Sequence, residues 1–226
     1  MDSAEHNTIK YSISYQDTQM DFRNIKRLQK IIRLIDPCDD FLDIGCWDGY
    51  LMKQFVKSGK VKKAVGVDNS KSAIEMAKKD GLEVVLVESV DKKIPFGDES
   101  FDCVFAGEII EHIYDVNNFT LEIERVLKKN GQLIITTPNL ASFGSRMRLL
   151  FGKTPWMIEN ILEKDSAGHI RYFTFDSLEK VLEDRGFTVE QCATNVIQLN
   201  KYNLTGSLAD LFYKLGSNII IKCRKN

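Results

Sequence analysis

Three ionisable residues stand close together in "GEIIEHI", residues 107 to 113: Glu108, Glu111 and His112. Spacings of three and one put Glu108 and the Glu111–His112 pair on a shared face of a helical turn. Two carboxylates and an imidazole so arranged have two uses. They can ligate a divalent cation, which would bind adjacent oxygens of another molecule and lower the pKa of one of them. Alternatively the imidazole hydrogen-bonds or acts as general base without a metal. The spacing alone decides neither.

A second set is "FLDIGCWDGYL", residues 41 to 51, with Asp43, Gly45 and Gly49. A strand that enters a glycine turn and then a helix is expected to aim unpaired backbone N–H groups and the positive helix end at whatever lies beyond the strand, so an anion or carboxylate fits there. A dinucleotide would demand glycine at 45, 47 and 50, where pyrophosphate approaches the backbone. Positions 47 and 50 are Trp47 and Tyr50, which argues against it. Further on, "AVGVD" ends in Asp68, a carboxylate able to accept both hydroxyls of a ribose. The plainer alternative is a loop aspartate capping the next helix.

The elements that must position these groups follow from periodicity. "MDFRNIKRLQKIIRLIDP" carries Ile25, Leu28, Ile32 and Ile35 as a helical stripe stopped by Asp36-Pro37. Short apolar runs then alternate with helical patterns: "DFLDIG", a helix from about Tyr50, "KAVGVD", a helix over 70–79, "EVVLVES", "FDCVFA", a helix around "NNFTLEIERVLKK" (117–129), and "GQLIITTP". This alternation predicts a doubly wound α/β fold with a mostly parallel sheet. "TFDSLEKVLEDRGF" reads as a capped helix ending at Gly186, "LTGSLADLFYKLG" as a short helix, and "TVEQCATNVIQ" with "SNIIIKCRKN" as a late antiparallel pair.

Composition narrows the class. The 226 residues, 43% hydrophobic, fit a single domain, 1–226, with an N-terminal helical segment, 1–36, and a lid-like insertion, 139–170. Thirty-one basic against thirty-two acidic residues leave a formal charge of -1, so no bulk nucleic-acid binding is expected. Five scattered cysteines without paired spacing read as reduced thiols, and no leader or spanning segment is evident, so a soluble cytoplasmic protein is expected. "NLASFGSRMRLLFGKTP" carries Arg146, Arg148 and Lys153 among Phe143, Met147, Leu149, Leu150 and Phe151, with no acid. It is either a basic amphipathic helix over the substrate opening, with peripheral membrane contact through 140–153, or a lid whose apolar residues pack on the body. Tyr11 and Tyr15 are candidates to close over the pocket.

Asp43-x-Gly45-x-x-x-Gly49 resembles motif I of the class I S-adenosylmethionine-dependent methyltransferases, with Trp47 in place of the family's usual glycine. "DKKIPFGDESFDCVFAGEIIEHI" is similar to the same family's later pattern, and the resemblance covers roughly residues 36 to 140. It implies a Rossmann-like, seven-stranded sheet with a C-terminal antiparallel hairpin. It also implies S-adenosyl-L-methionine as cofactor, held by Asp43, Gly45, Cys46, Trp47 and Gly49, by Asp68 and Asn69 at the ribose, by Glu88 and Ser89 at the adenine, and by the loop from Ala106 to Glu108.

The EIIEH pattern resembles that of ubiquinone-pathway O-methyltransferases and of small-RNA 2'-O-methyltransferases. There the carboxylates and histidine contribute to a metal site, which implies a divalent cation such as Mg2+ on Glu108, Glu111, His112 and His169. The same likeness makes Glu111, His112 and His169 the catalytic candidates beside a small-molecule, lipid or glycan acceptor. Two other readings stay open: a metal-dependent RNA 2'-O-methyltransferase and a non-catalytic protein that binds the cofactor.

Overall fold

A computed structural model of the chain describes residues 21–158, 168–199 and 202–226. Tyr11, Tyr15 and part of the 139–170 insertion lie outside them. Seven strands form one sheet: β1 (Cys38–Ile44), β2 (Val61–Asp68), β3 (Glu83–Leu86), β4 (Phe101–Gly107), β5 (Leu127–Pro138), β6 (Phe187–Ala193) and, after a small separate hairpin of β7 (Ile197–Leu199) and β8 (Tyr202–Leu204), β9 (Asn218–Lys225). Their order is β3-β2-β1-β4-β5-β9-β6. The first five run parallel, and β9 enters antiparallel between β5 and β6. The sheet is therefore doubly wound about β1 and β4, whose carboxyl ends flank the switch point where open α/β sheets bind ligands.

Both faces are covered because buried parallel strands are apolar on both sides. On one face Leu42, Ile44, Val104, Leu133 and Ile135 pack with α4 (Val116–Val126) and α6 (Phe175–Glu183). On the other, Phe41, Cys103, Phe105, Ile134 and Ile220 meet α1 (Phe22–Leu34) and α2 (Tyr50–Lys57). Phe55 of α2 is wholly buried, its ring edge-on to Phe105 with centroids 5.0 Å apart. Truncating such a ring costs about 3–5 kcal/mol. α3 (Lys71–Lys79) is capped by Ser70, α5 (Phe143–Leu150) by Ser142, and α6 by a reciprocal box of Thr174 and Ser177. The short α7 (Ser207–Leu211) precedes β9.

Two elements differ from their sequence patterns. The helix expected to run to residue 129 ends at Val126, and Leu127 to Lys129 are already strand. Lys128 there reaches across to Asp40 at 3.0 Å and Asp102 at 2.8 Å. The run "TVEQCATNVIQ" breaks after Ala193, its end turning out of the sheet to make β7. The five cysteines are free, four of them buried. No helix among the described residues is long and apolar enough to cross a membrane.

Candidate active site

The turn after β1 has its three key residues in the left-handed region: Gly45 at φ 76°, Trp47 at 50° and Gly49 at 73°. Trp47 thus holds the backbone conformation that a glycine would adopt freely, at a cost of about 1–2 kcal/mol. What stabilises it is Asp68, whose Oδ2 accepts the Trp47 N–H at 2.9 Å.

The turn amides are not the row of open donors that the sequence suggested. Gly45 and Cys46 donate to the Val67 carbonyl at 2.8 and 3.1 Å, and Gly49 donates to Cys46 at 2.8 Å. Buried N–H groups must find partners, and β2 lies close enough to supply them. Cys46 offers no side chain to a ligand either. Its thiol packs with Met52, Ile74 and Val84, pressed so near Gly66 that a Cβ there would sit 2.5 Å from Sγ.

Carboxylates remain. Asp43 is buried, its Oδ2 has no hydrogen-bond partner, and it forms no ion pair among the described residues. Burial, reinforced by the neighbouring charge of Asp68, pushes its pKa up to about 8. Asp68 is also buried and its pKa is raised by desolvation, although the backbone N–H groups of Ser70, Trp47 and Asn69 oppose the shift. Oδ1 accepts from the Ser70 N–H at 2.8 Å, but the helix cap itself is Ser70, so the capping role considered for Asp68 falls to that serine. Two adjacent buried acids without a protein cation suit a ligand that carries positive charge, as the ammonium and sulfonium of S-adenosylmethionine do.

The adenine candidates lie further out. β3 stops at Leu86, and Glu88 is exposed and paired with Lys92 at 2.7 Å. The Ser89 hydroxyl bonds the Asp91 carboxylate. Ala106 is buried within β4, in register with Ile44.

At the end of β4, Glu108 is itself left-handed, φ 54°, and a 3-10 turn follows over Ile110–His112. That turn separates the acids. Glu108 accepts from Arg27 at 2.6 Å, Asn218 at 3.0 Å and Thr136 at 2.9 Å. Glu111 is buried, takes the Thr137 hydroxyl at 2.9 Å, and through its backbone carbonyl holds the N–H groups of Ile170 and Arg171. Burial, then the charge of Glu108, pushes the Glu111 pKa up to about 8.

The backbone anchoring at 170 and 171 brings His169 beside His112, with ring centroids 5.0 Å apart. One ligand atom each of Glu111, His112 and His169 lies within 4.8 Å of the others. Glu108, expected beside them, is instead bound to Arg27, Asn218 and Thr136. His112 Nδ1 lies 3.1 Å from the Gly168 carbonyl and His169 Nδ1 3.4 Å from that of Met157. A carbonyl can only accept, so in each of these bonds Nδ1 is the donor.

A cavity of about 310 Å³ opens beside Glu108, walled by Arg27, Asn218, Ser142, Trp156 and Asp21 among others. Arg27 and Asn218 were not singled out from sequence. Arg27 belongs to the polar side of an amphipathic helix, and Asn218 merely opens the last strand. Nothing local distinguishes either from a solvated residue.

The fold is shared with solved methyltransferase structures. A possible histamine N-methyltransferase of Thermotoga maritima superposes with a TM-score of 0.64 at 22% identity, covering 99% of this chain and 94% of that one. A SAM-dependent methyltransferase of Archaeoglobus fulgidus gives 0.64 at 17% identity, over 99% and 100%. These likenesses show the fold. Residues 42–135 match the model of a methyltransferase-domain family, on a fold shared with solved SAM-dependent methyltransferases.

The chain is 28% identical to the mitochondrial ubiquinone biosynthesis O-methyltransferase of Homo sapiens over 157 residues, 66% of this chain and 41% of the relative. To the ubiquinone biosynthesis O-methyltransferase of Pelagibacter ubique it is 36% identical over 103 residues, 43% and 41% of the two chains. The chain spans about two fifths of the length of these curated relatives.

Proposed function

We propose that this protein transfers a methyl group from S-adenosylmethionine to an oxygen of a small-molecule, lipid or glycan acceptor. The observation that carries the proposal is the pair of buried carboxylates Asp43 and Asp68 at the switch point of the sheet, with no ion pair to either among the described residues. Asp43 receives the ammonium, Asp68 and Asn69 the ribose, and Glu88 with Ser89 the adenine side, while the turn over 45–49 and the strand end at 106–108 flank the reacting centre. The cofactor supplies an electrophilic methyl group. The chain's part is to hold the acceptor oxygen in line with it and to remove the proton of that oxygen.

His112 and His169 are the residues we assign to that proton transfer, each ring oriented by a backbone carbonyl at Nδ1. The resemblance to ubiquinone-pathway enzymes suggests a divalent cation such as Mg2+ on Glu111, His112 and His169, although one carboxylate and two imidazoles suit a transition metal better than Mg2+. Such a cation would occupy the imidazole lone pairs, require Glu111 ionised, and lower the pKa of a bound acceptor hydroxyl in place of the histidine base.

Incubation with methyl-labelled S-adenosylmethionine and a panel of catechols, simple phenols and glycosides tests the reading. Labelled methyl ether is the expected product, and its loss on adding EDTA would identify the metal. Binding of cofactor without transfer to any hydroxyl would overturn O-methylation.

A further inference from the structure

α5 is anchored through Ser145, which is buried, and through half-buried Phe143 and Met147. Beyond them the chain does not turn its apolar residues inward. Leu149, Leu150, Phe151 and Trp156 are 57, 74, 69 and 70% exposed. Single exposed apolar residues are ordinary on protein surfaces, but four within eight positions form a patch. The reading of this stretch as a lid with its apolar residues packed on the body therefore fails for its C-terminal half.

Charge accompanies the patch. Arg146, Arg148 and Lys153 lie in the same stretch, and no acidic residue occurs from 139 to 158. The Lys153 ammonium has no partner among the described residues, and the Arg148 guanidinium stacks 4.4 Å from the centre of the Trp156 ring while its Nε donates to the Thr154 carbonyl at 2.6 Å. That bond and stacking close residues 148–156 into one unit. Ser142, Gly144, Ser145 and Trp156 also wall the cavity beside Glu108, so whatever covers the patch sits at the cavity mouth.

We propose that residues 143–156 dock this protein on an anionic lipid bilayer. Leu149, Leu150, Phe151 and Trp156 enter the boundary between headgroups and acyl chains, and Arg146, Arg148 and Lys153 meet lipid phosphates. Exposed apolar side chains interleaved with unopposed cations are what such an interface takes. A polyanion such as RNA would use the cations but leave three aliphatic and phenyl side chains in water. With a formal net charge of -1 for the chain, the attraction is local to this segment. Docking stands independently of methyl transfer, and it would present the cavity to an acceptor dissolved in the membrane.

The test is co-sedimentation of the full chain with phosphatidylcholine vesicles, with vesicles containing phosphatidylglycerol, and with polyuridylate in solution as competitor. At least tenfold stronger partition onto the anionic vesicles is expected, weakening as salt is raised. The double variant Leu150→Asp/Phe151→Asp should lose at least tenfold, and Arg146→Glu/Lys153→Glu roughly fivefold or more per residue. All these side chains are exposed, so an unchanged thermal transition and unchanged S-adenosylmethionine affinity show that the variants are folded. Equal partition onto neutral and anionic vesicles, no partition, variants that bind like the parent, or displacement by polyuridylate would each overturn the proposal.

Discussion

The carboxyl ends of β1 and β4 make an instructive pair. Each carries a non-glycine residue in the left-handed region, Trp47 and Glu108, and each buries a carboxylate whose pKa rises to about 8, Asp43 and Glu111. They differ in how they are built. The β1 side is assembled between residues 43 and 68 from a strand, a turn, a helix and the next strand. The β4 side needs Arg27, the 108–112 turn, the 168–171 segment and Asn218 brought together by tertiary packing. Among the described residues Asp43 Oδ2 has no hydrogen-bond partner, whereas Glu111 has Thr137 and Glu108 has three donors. A charge without a counterpart marks where a ligand completes the protein. A charge already satisfied marks where side chains are held in place for chemistry.

If that division is right, substitutions on the two sides separate rate from cofactor affinity. His112→Ala should reduce the methyl-transfer rate by about 10²–10⁴-fold while leaving S-adenosylmethionine affinity unchanged, as single-turnover kinetics and calorimetry would show. Asp43→Ala should do the reverse, weakening cofactor binding by about 10–100-fold with little change in the KM for acceptor. Arg27→Ala strands Glu108 and removes part of the cavity wall. A rise of roughly tenfold in acceptor KM is expected, and an unchanged value would disconnect the cavity from the acceptor.

The raised carboxylates also set a pH dependence. A carboxyl whose folded pKa exceeds its unfolded value near 4 binds its proton more tightly in the native state, so the ligand-free protein loses stability as pH rises from about 4 to about 8. Asp43→Asn should flatten that decline by at least about 1.4 kcal/mol, the worth of one pKa unit, in urea unfolding at pH 5 and pH 8. The smallest effect is expected of Trp47→Gly. It relieves the turn but frees the unfolded chain, so stability should move by no more than about 1 kcal/mol and cofactor affinity by less than about threefold.

The same contrast explains what could be read from sequence. Asp43, Gly45, Gly49 and Asp68 were legible because the ends of adjacent parallel strands follow from periodicity and turn residues alone. The pairing of the turn amides with Val67 was not, since it depends on how closely β2 approaches. The proximity of His112 and His169 came through the family resemblance. The transfer of Glu108 to Arg27 and Asn218 depends on contacts with α1 and β9 that no local pattern encodes. The helix stop at Val126 was hidden for a related reason: "LKK" continues the helical pattern, and only the acids of neighbouring strands draw Lys128 into the sheet.

The central claim is that a positively charged cofactor completes the unpartnered acid at the end of β1. Calorimetric titration of S-adenosylmethionine at pH 7, in two buffers of different ionisation enthalpy, tests it directly. Asp43 is largely protonated there before binding, so the account predicts saturable binding that releases close to one proton, and no such release from Asp43→Asn. Binding without proton release by the parent protein, or with equal release by Asp43→Asn, would contradict it.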